Sequence, residues 1–150
     1  MRRPALLRGI ILLAFCACSK PDDQAIRDQI NEMKQEAEAA DWPSFQEHIS
    51  RRYQDDSGNN YFIITQLIRN DVQGVQGLEA EVEIMGISIS EDQAQAQLKL
   101  IARGKRSGKL YYLVGRDDLP EYPRLWFKKE GRHWRLLKVD GIKGSEESSW

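Results

Sequence analysis

Apolar residues recur along this chain with two different periods, and the switch between them divides it into two halves. Ile26, Ile30, Met33 and Ala37 are spaced by four, three and four, the inner stripe of an amphipathic helix. Arg27, Asp28, Glu32, Lys34 and Glu36 fall on its other side. Asp22 or Asp23 is placed to cap the start of this helix, which is expected to run to about Ala40. Asp41-Trp42-Pro43-Ser44 interrupts the pattern, and Ser44 with Glu47 has capping-box spacing. That predicts a second, short helix carrying Phe45, His48 and Ile49. The dense turn signal Asp55-Asp56-Ser57-Gly58-Asn59-Asn60 follows. A third helix is expected from about Tyr61 to Asn70, with Ile64, Leu67 and Ile68 inward.

From Leu78 the period becomes two. Leu78, Ala80, Val82 and Ile84 alternate with Glu79, Glu81 and Glu83, as in a strand with one face buried. At Gly86 the phase shifts to Ile87 and Ile89, which predicts a bulge. Ala94, Ala96, Leu98, Leu100 and Ala102 alternate in the same way after a turn at Ser90–Gln93, so the two strands should form an antiparallel hairpin. Arg103 to Lys109, basic and glycine-containing, is expected to be a turn. Tyr111 to Val114 reads as a third strand, Gly115 to Pro123 as a loop, and Leu125–Lys129 with Trp134–Val139 as a final hairpin. Helices first and strands afterwards make an α+β fold, three N-terminal helices packed on a curved antiparallel sheet of about five strands.

Composition changes this picture only at the N-terminus. The 150 residues are enough for one domain, and 41% hydrophobic with 30% charged is the balance of a globular protein. No run of about eighteen apolar residues occurs, so no segment reads as a transmembrane helix. Residues 1–17 are different: Arg2, Arg3 and Arg8 are basic, no acid is present, and Gly9-Ile10-Ile11-Leu12-Leu13-Ala14-Phe15 is a short apolar run. These are the proportions of a signal peptide. Arg2-Arg3 is plain basic charge, because its flanking residues fit a twin-arginine signal poorly.

Phe15-Cys16-Ala17-Cys18, followed by Ser19, resembles the lipobox of bacterial lipoproteins. Ala17 supplies the small residue before the cysteine that receives the lipid, although Phe15 stands where leucine is usual. The alternative at Cys16 would put the bulky Phe15 in the small-residue position. Cleavage after Ala17 without lipidation would meet Phe15 at −3, where a small residue is required. The resemblance implies a signal peptide over 1–17, a lipid on Cys18 (diacylglycerol, then palmitate-type acylation), and a tether over 18–23. Ser19 after the cysteine implies delivery to the outer membrane, facing the periplasm. Two or three acyl chains, at about 0.8 kcal/mol per buried methylene, hold a protein firmly on a membrane.

Without residues 1–17 the charge is 19 basic against 23 acidic, a net of −4, which argues against nucleic acid as a partner. Cys16 and Cys18 are the only cysteines. The domain beyond them therefore contains no disulfide, cysteine nucleophile or cysteine metal ligand.

Lys129-Glu130-Gly131-Arg132-His133-Trp134-Arg135-Leu136-Leu137, a charged turn and then Trp-Arg leading an apolar strand, is similar to the last hairpin of the NTF2-like (SnoaL-like, cystatin-like cone) superfamily. Tyr53-Gln54-Asp55-Asp56-Ser57-Gly58 resembles the turn before the third helix in lipoprotein members of that superfamily. The resemblance covers about Gln24 to Ile142, which sets the domain at 24–142 and leaves 143–150 as a tail. It implies a cone in which the first helix packs into a bent sheet. The superfamily holds dehydratases, isomerases and cyclases beside binding and dimerisation domains, so the fold does not choose a function.

Candidate chemistry is sparse. An enzyme of this fold would place an Asp, His or Tyr dyad inside the cone. His48 and His133 are the only histidines; each reads as a boundary residue, and the sequence gives no reason for them to meet. Asp28 and Asp41 read as helix surface and a cap. No catalytic residue can be assigned. A calcium loop from Asp55 would need Gly sixth and Glu twelfth, where Asn60 and Gln66 stand, so no metal is expected there. Arg103, Lys105, Arg106 and Lys109 form a basic cluster that reads as a solvated turn, with anionic lipid as its other reading. Tyr53, Tyr61 and Trp126 are the candidate pocket residues, among aromatic rings that otherwise belong to core or rim.

The function expected from this reading is a lipid-anchored cell-envelope protein, with no cofactor. Its non-catalytic domain would bind a small molecule or an envelope protein, with a homodimer through the sheet as a further expectation. An isomerase- or dehydratase-like enzyme and a structural envelope-assembly protein are the alternatives.

Overall fold

The computed structural model describes residues 20–143. The signal peptide, Cys18 and the tail from Gly144 lie outside the described residues. Three helices come first, α1 (Asp22–Glu38), α2 (Trp42–Glu47) and α3 (Tyr61–Val72). Five strands follow, β1 (Val75–Ser90), β2 (Gln93–Arg106), β3 (Lys109–Val114), β4 (Arg124–Glu130) and β5 (His133–Asp140). All pairings between these strands are antiparallel. Among the described residues, no helix is long and apolar enough to cross a membrane.

β2 organises the sheet. One of its edges pairs with β1 along nearly its whole length; the other is shared by β4 at Gln93–Gln97 and β3 at Ala102–Arg106. β5 continues the sheet beyond β4. Segment 48–54 covers the outer edge of β5: Leu136 N–H donates to His48 O at 2.8 Å, and Ser50 N–H to Leu136 O at 2.9 Å. The shift expected near Gly86 is present. Ile84 faces Leu98 and Gly86 faces Gln97, so Met85 is the extra residue and Ile87 returns to the inner face.

The inner face carries Ala94, Ala96, Leu98, Leu125, Phe127, Trp134 and Leu136, and α1 lays Ile26, Ile30 and Met33 against it. Ile49, Tyr53 and Tyr61 close the same core. Glu38, at the end of α1, accepts the Ala80 N–H of β1 at 2.9 Å and Lys34 Nζ at 2.7 Å. Burial opposes ionisation of that carboxyl, but these donors prevail and hold it below the usual glutamate range.

Four local expectations are corrected. Pro21 precedes α1 without a side-chain cap, and both acids lie inside the first turn, where the helix dipole favours them. Asp22 Oδ1 instead accepts Lys129 Nζ at 2.8 Å and Trp134 Nε1 at 3.2 Å. Asp41, not Ser44, caps α2, and Ser44 Oγ itself donates to Asp41 Oδ2 at 2.7 Å. Leu67 points outward, because α3 buries Tyr61 and Thr65 and half-buries Ile64 and Ile68. The basic stretch is mostly strand: β2 runs to Arg106, and Ser107 (φ 52°) with Gly108 (φ 75°) makes a two-residue turn. Gly104 belongs to that strand, where a Cβ would come 2.5 Å from Val75 Cγ1.

Candidate functional site

The stripe of α1 next to its buried one is Ala25, Gln29, Glu32 and Glu36, spaced by four, three and four. This second stripe forms one wall of a cleft of about 560 Å3. Ser44 and Glu47 of α2, His48, and Arg132 to Arg135 at the β4–β5 turn complete it. Lys20 and Asp28 form an ion pair within its lining. Hydrogen bonds from Lys20 and Gln24 hold Asp28 below the usual aspartate range.

The two histidines therefore share one cleft, although nothing in their positions along the chain predicts that they meet. The cause is the pairing of segment 48–54 along β5, which delivers His48 beside the strand that His133 begins. His48 Nε2 lies 3.0 Å from Glu36 Oε2, a residue read from sequence only as helix surface. Gln29 is 7% exposed, and its Nε2 has no hydrogen-bond acceptor.

A second cleft, of about 610 Å3, lies alongside and is lined by Pro43, Gln46, Ile49, Arg51, Tyr61 and Glu130. Glu47 and Arg135 border both clefts. Arg51 stacks its guanidinium 4.1 Å above the Tyr61 ring. Glu130 Oε1 accepts Ser50 Oγ at 2.6 Å.

The three expected pocket aromatics separate. Tyr61 borders the second cleft. Tyr53 sits in the core, 2% exposed, and its hydroxyl donates to Asp55 Oδ2 at 3.2 Å. Trp126 lies on the sheet's outer face, opposite Leu125 and Phe127, near the Lys138 ammonium (4.8 Å) and the Arg124 guanidinium (5.6 Å). Alternation along β4 puts a ring at an even position outside whenever its odd neighbours are inside.

The Asp55 segment is a turn, as its residues predicted. Asp55 Oδ1 accepts the N–H groups of Ser57 and Asn59, both at 3.0 Å, and Asn60 caps α3 through Ile63 N. Burial works against the Asp55 carboxylate, yet hydrogen bonds from Asn59, Tyr53 and Ser57 leave its pKa lowered. Burial, then the Asp55 charge, pushes the Tyr53 hydroxyl well above its ordinary value. Among the described residues no three His, Cys, Asp or Glu side chains are grouped to hold a metal.

In the basic cluster, Arg103 is occupied by Glu81 at 2.7 Å and Asp117 at 2.8 Å. Arg106 donates to Asp71 O at 2.6 Å and lies 3.8 Å over Tyr111. Lys105 and Lys109 remain at the solvated hairpin end. Sequence reasoning missed Gln29, Glu36, Glu47 and Arg135. The only signal for the first two was a polar stripe repeating beside the apolar one.

No protein-family sequence model matches the chain, and no curated protein matches it. Solved structures do. An NTF2-like protein with a cystatin-like fold from Novosphingobium aromaticivorans has TM-score 0.61 at 17% identity, over 85% of this chain and 84% of that one. A conserved protein from Planctomyces limnophilus reaches 0.67 at 14% identity, over 82% and 97% of the two chains. A protein described as a candidate scytalone dehydratase, also from N. aromaticivorans, reaches 0.67 at 9% identity, over 83% and 84%. At these identities the likeness speaks for architecture alone. Three helices on a five-stranded antiparallel sheet, superposing on such structures over more than four-fifths of the chain, give this protein the NTF2-like, cystatin-like fold.

Proposed function

We propose that this chain is a cell-envelope lipoprotein, held to the membrane through acylated Cys18, whose NTF2-like domain binds a small polar molecule without transforming it. One observation carries the binding part. The interior that an enzyme of this fold would use is filled by Ile26, Ile30, Met33, Phe127 and their neighbours, while a cleft with polar walls opens between α1, α2 and the β4–β5 turn. The anchoring part rests on Phe15-Cys16-Ala17-Cys18-Ser19 and the basic, apolar run before it.

Both parts are testable. Mass spectrometry of the N-terminal peptide from cell membranes should find Cys18 acylated, and an unmodified peptide from a soluble protein would refute the anchor. A native mass spectrum of the protein released gently from membranes should show a reproducible small-molecule adduct. A bare domain together with one stoichiometric cross-linked neighbour in cells would instead favour protein assembly.

A catalytic reading has one observation in its favour, the approach of His48 to Glu36 within the cleft, because a carboxylate beside imidazole is how a general base is held. Turnover abolished by His48→Ala with the fold intact would establish it.

A further inference from the structure

The cleft between α1, α2 and the β4–β5 turn holds buried polar atoms that make no hydrogen bond within the protein. Gln29 Nε2 is a buried donor with no acceptor, at a position 7% exposed beside the core. An unsatisfied buried amide costs about 1–3 kcal/mol, so its presence needs a reason outside packing. Glu36 Oε2 is buried as well; His48 Nε2 approaches it to 3.0 Å without hydrogen-bond geometry.

Arg135 adds a third group. It is half-buried in the wall common to both clefts and, among the described residues, pairs with no carboxylate, although Glu47 borders the same clefts. Of the other described arginines without a carboxylate, Arg51, Arg52, Arg69 and Arg132 are exposed and Arg106 donates to Asp71 O. A partly desolvated guanidinium favours a carboxylate, which matches its planar fork.

The signs of these groups decide the ligand. A free amide and a free guanidinium call for acceptors and negative charge, whereas the Glu36 carboxylate calls for a donor and positive charge. A plain anion would meet Glu36 and Glu47, and a plain cation would meet Arg135 and Arg132. Size narrows the choice further. Gln29 and Glu36 are seven residues apart on one helix, about 10 Å along its axis, too far for one ion to serve both. A cleft of about 560 Å3 accommodates a longer molecule.

We infer that the cleft binds a zwitterionic small molecule of dipeptide size, with its ammonium on Glu36 and the carboxylate at its other end taken by Gln29 Nε2 and Arg135. This rests on the small-molecule reading above and names the ligand class for that same site.

Calorimetric titration of the full chain, purified in detergent, tests it with three probes: glycylglycine, succinate and putrescine. Glycylglycine should bind, and the dianion and the dication should bind at least about tenfold more weakly. Glu36→Gln and Arg135→Lys should each weaken glycylglycine by about tenfold or more, with unfolding curves confirming that both variants are folded. Equal binding of succinate or putrescine, indifference to both substitutions, or no binding of glycylglycine overturns the zwitterion. If glycylglycine fails while a different adduct appears in the native mass spectrum, small-molecule binding stands and only the ligand class falls.

Discussion

α1 shows two adjacent stripes with opposite uses. Ile26, Ile30 and Met33 press into the sheet and are almost wholly buried, while Ala25, Gln29, Glu32 and Glu36, one step around the helix, face a cleft. Both repeat with the same spacing, so the backbone treats them alike. What differs is the surface opposite. The apolar stripe meets Phe127, Leu125 and Leu98, which leave no room for choice, whereas the polar stripe meets α2 and a hairpin turn that do not close on it. Stability is concentrated on one side and recognition is free to develop on the other.

The packed side should be the easier to break. Phe127, 1% exposed at the centre of the sheet's inner face, touches the core that α1 covers. Phe127→Ala should cost about 3–5 kcal/mol, a large fraction of a domain's stability, read as loss of the cooperative transition in urea at room temperature. A fall under about 1 kcal/mol would mean that the core described here is not what holds the fold.

The Asp55 turn is next. Its carboxylate receives two backbone N–H groups, the Asn59 amide and the Tyr53 hydroxyl. Asp55→Ala should cost about 2 kcal/mol, since a buried phenol and turn amides lose their acceptor. The pH dependence has a definite sign on each side. The Asp55 pKa is lowered in the folded protein, so its contribution is full above the ordinary aspartate value of 3.8 and is lost as pH falls through the lowered one. The Tyr53 pKa is raised, so its contribution is full below the ordinary value of 10.0 and is lost as pH rises beyond it. Thermal unfolding from pH 2 to 5 should show the acid loss in the native chain and a reduced slope in Asp55→Asn. Tyr53→Phe should likewise reduce the loss of stability above pH 10.

The contrast between the two stripes also marks what was readable in the sequence. Period-two alternation marked the core-facing residues of β1 and of β2 as far as Leu98, but beyond it Ile101, on the polar side of the pattern, is buried while Leu100 is only half-buried. The phase change at Gly86 located the bulge at Met85 within one position. Those signals are local. The cap of α2 was misplaced because Ser44 and Asp41 both suit the role, and only the backbone geometry of the Pro43 turn decides between them. Leu67 reads as inward from its spacing to Ile64 and Ile68, but the buried face of α3 is centred on Tyr61 and Thr65, with Ile64 and Ile68 at its margin and Leu67 beyond it. The site was the least legible part. Gln29 and Glu36 matter through residues more than ten positions away, His48 in the second case, and no periodicity reports what stands across a cleft. Tyr53, Tyr61 and Trp126 looked alike as rings; register and the course of segment 48–54 sent them to core, cleft and outer face.

The smallest expected effect is the sharpest test of the division. Gln29 lies on the polar stripe but is as buried as Met33 on the apolar one, 7% against 8% exposed. If the first stripe exists for packing and the second for recognition, replacing Gln29 by an isosteric apolar residue should help the fold. Gln29→Met removes the unsatisfied Nε2 and keeps the volume, so stability should rise by about 1 kcal/mol, a few degrees in Tm. Urea and thermal unfolding of the two proteins side by side measure it. A loss of similar size would show that the Gln29 amide holds the fold together, and the second stripe would then be part of the core rather than the wall of a site.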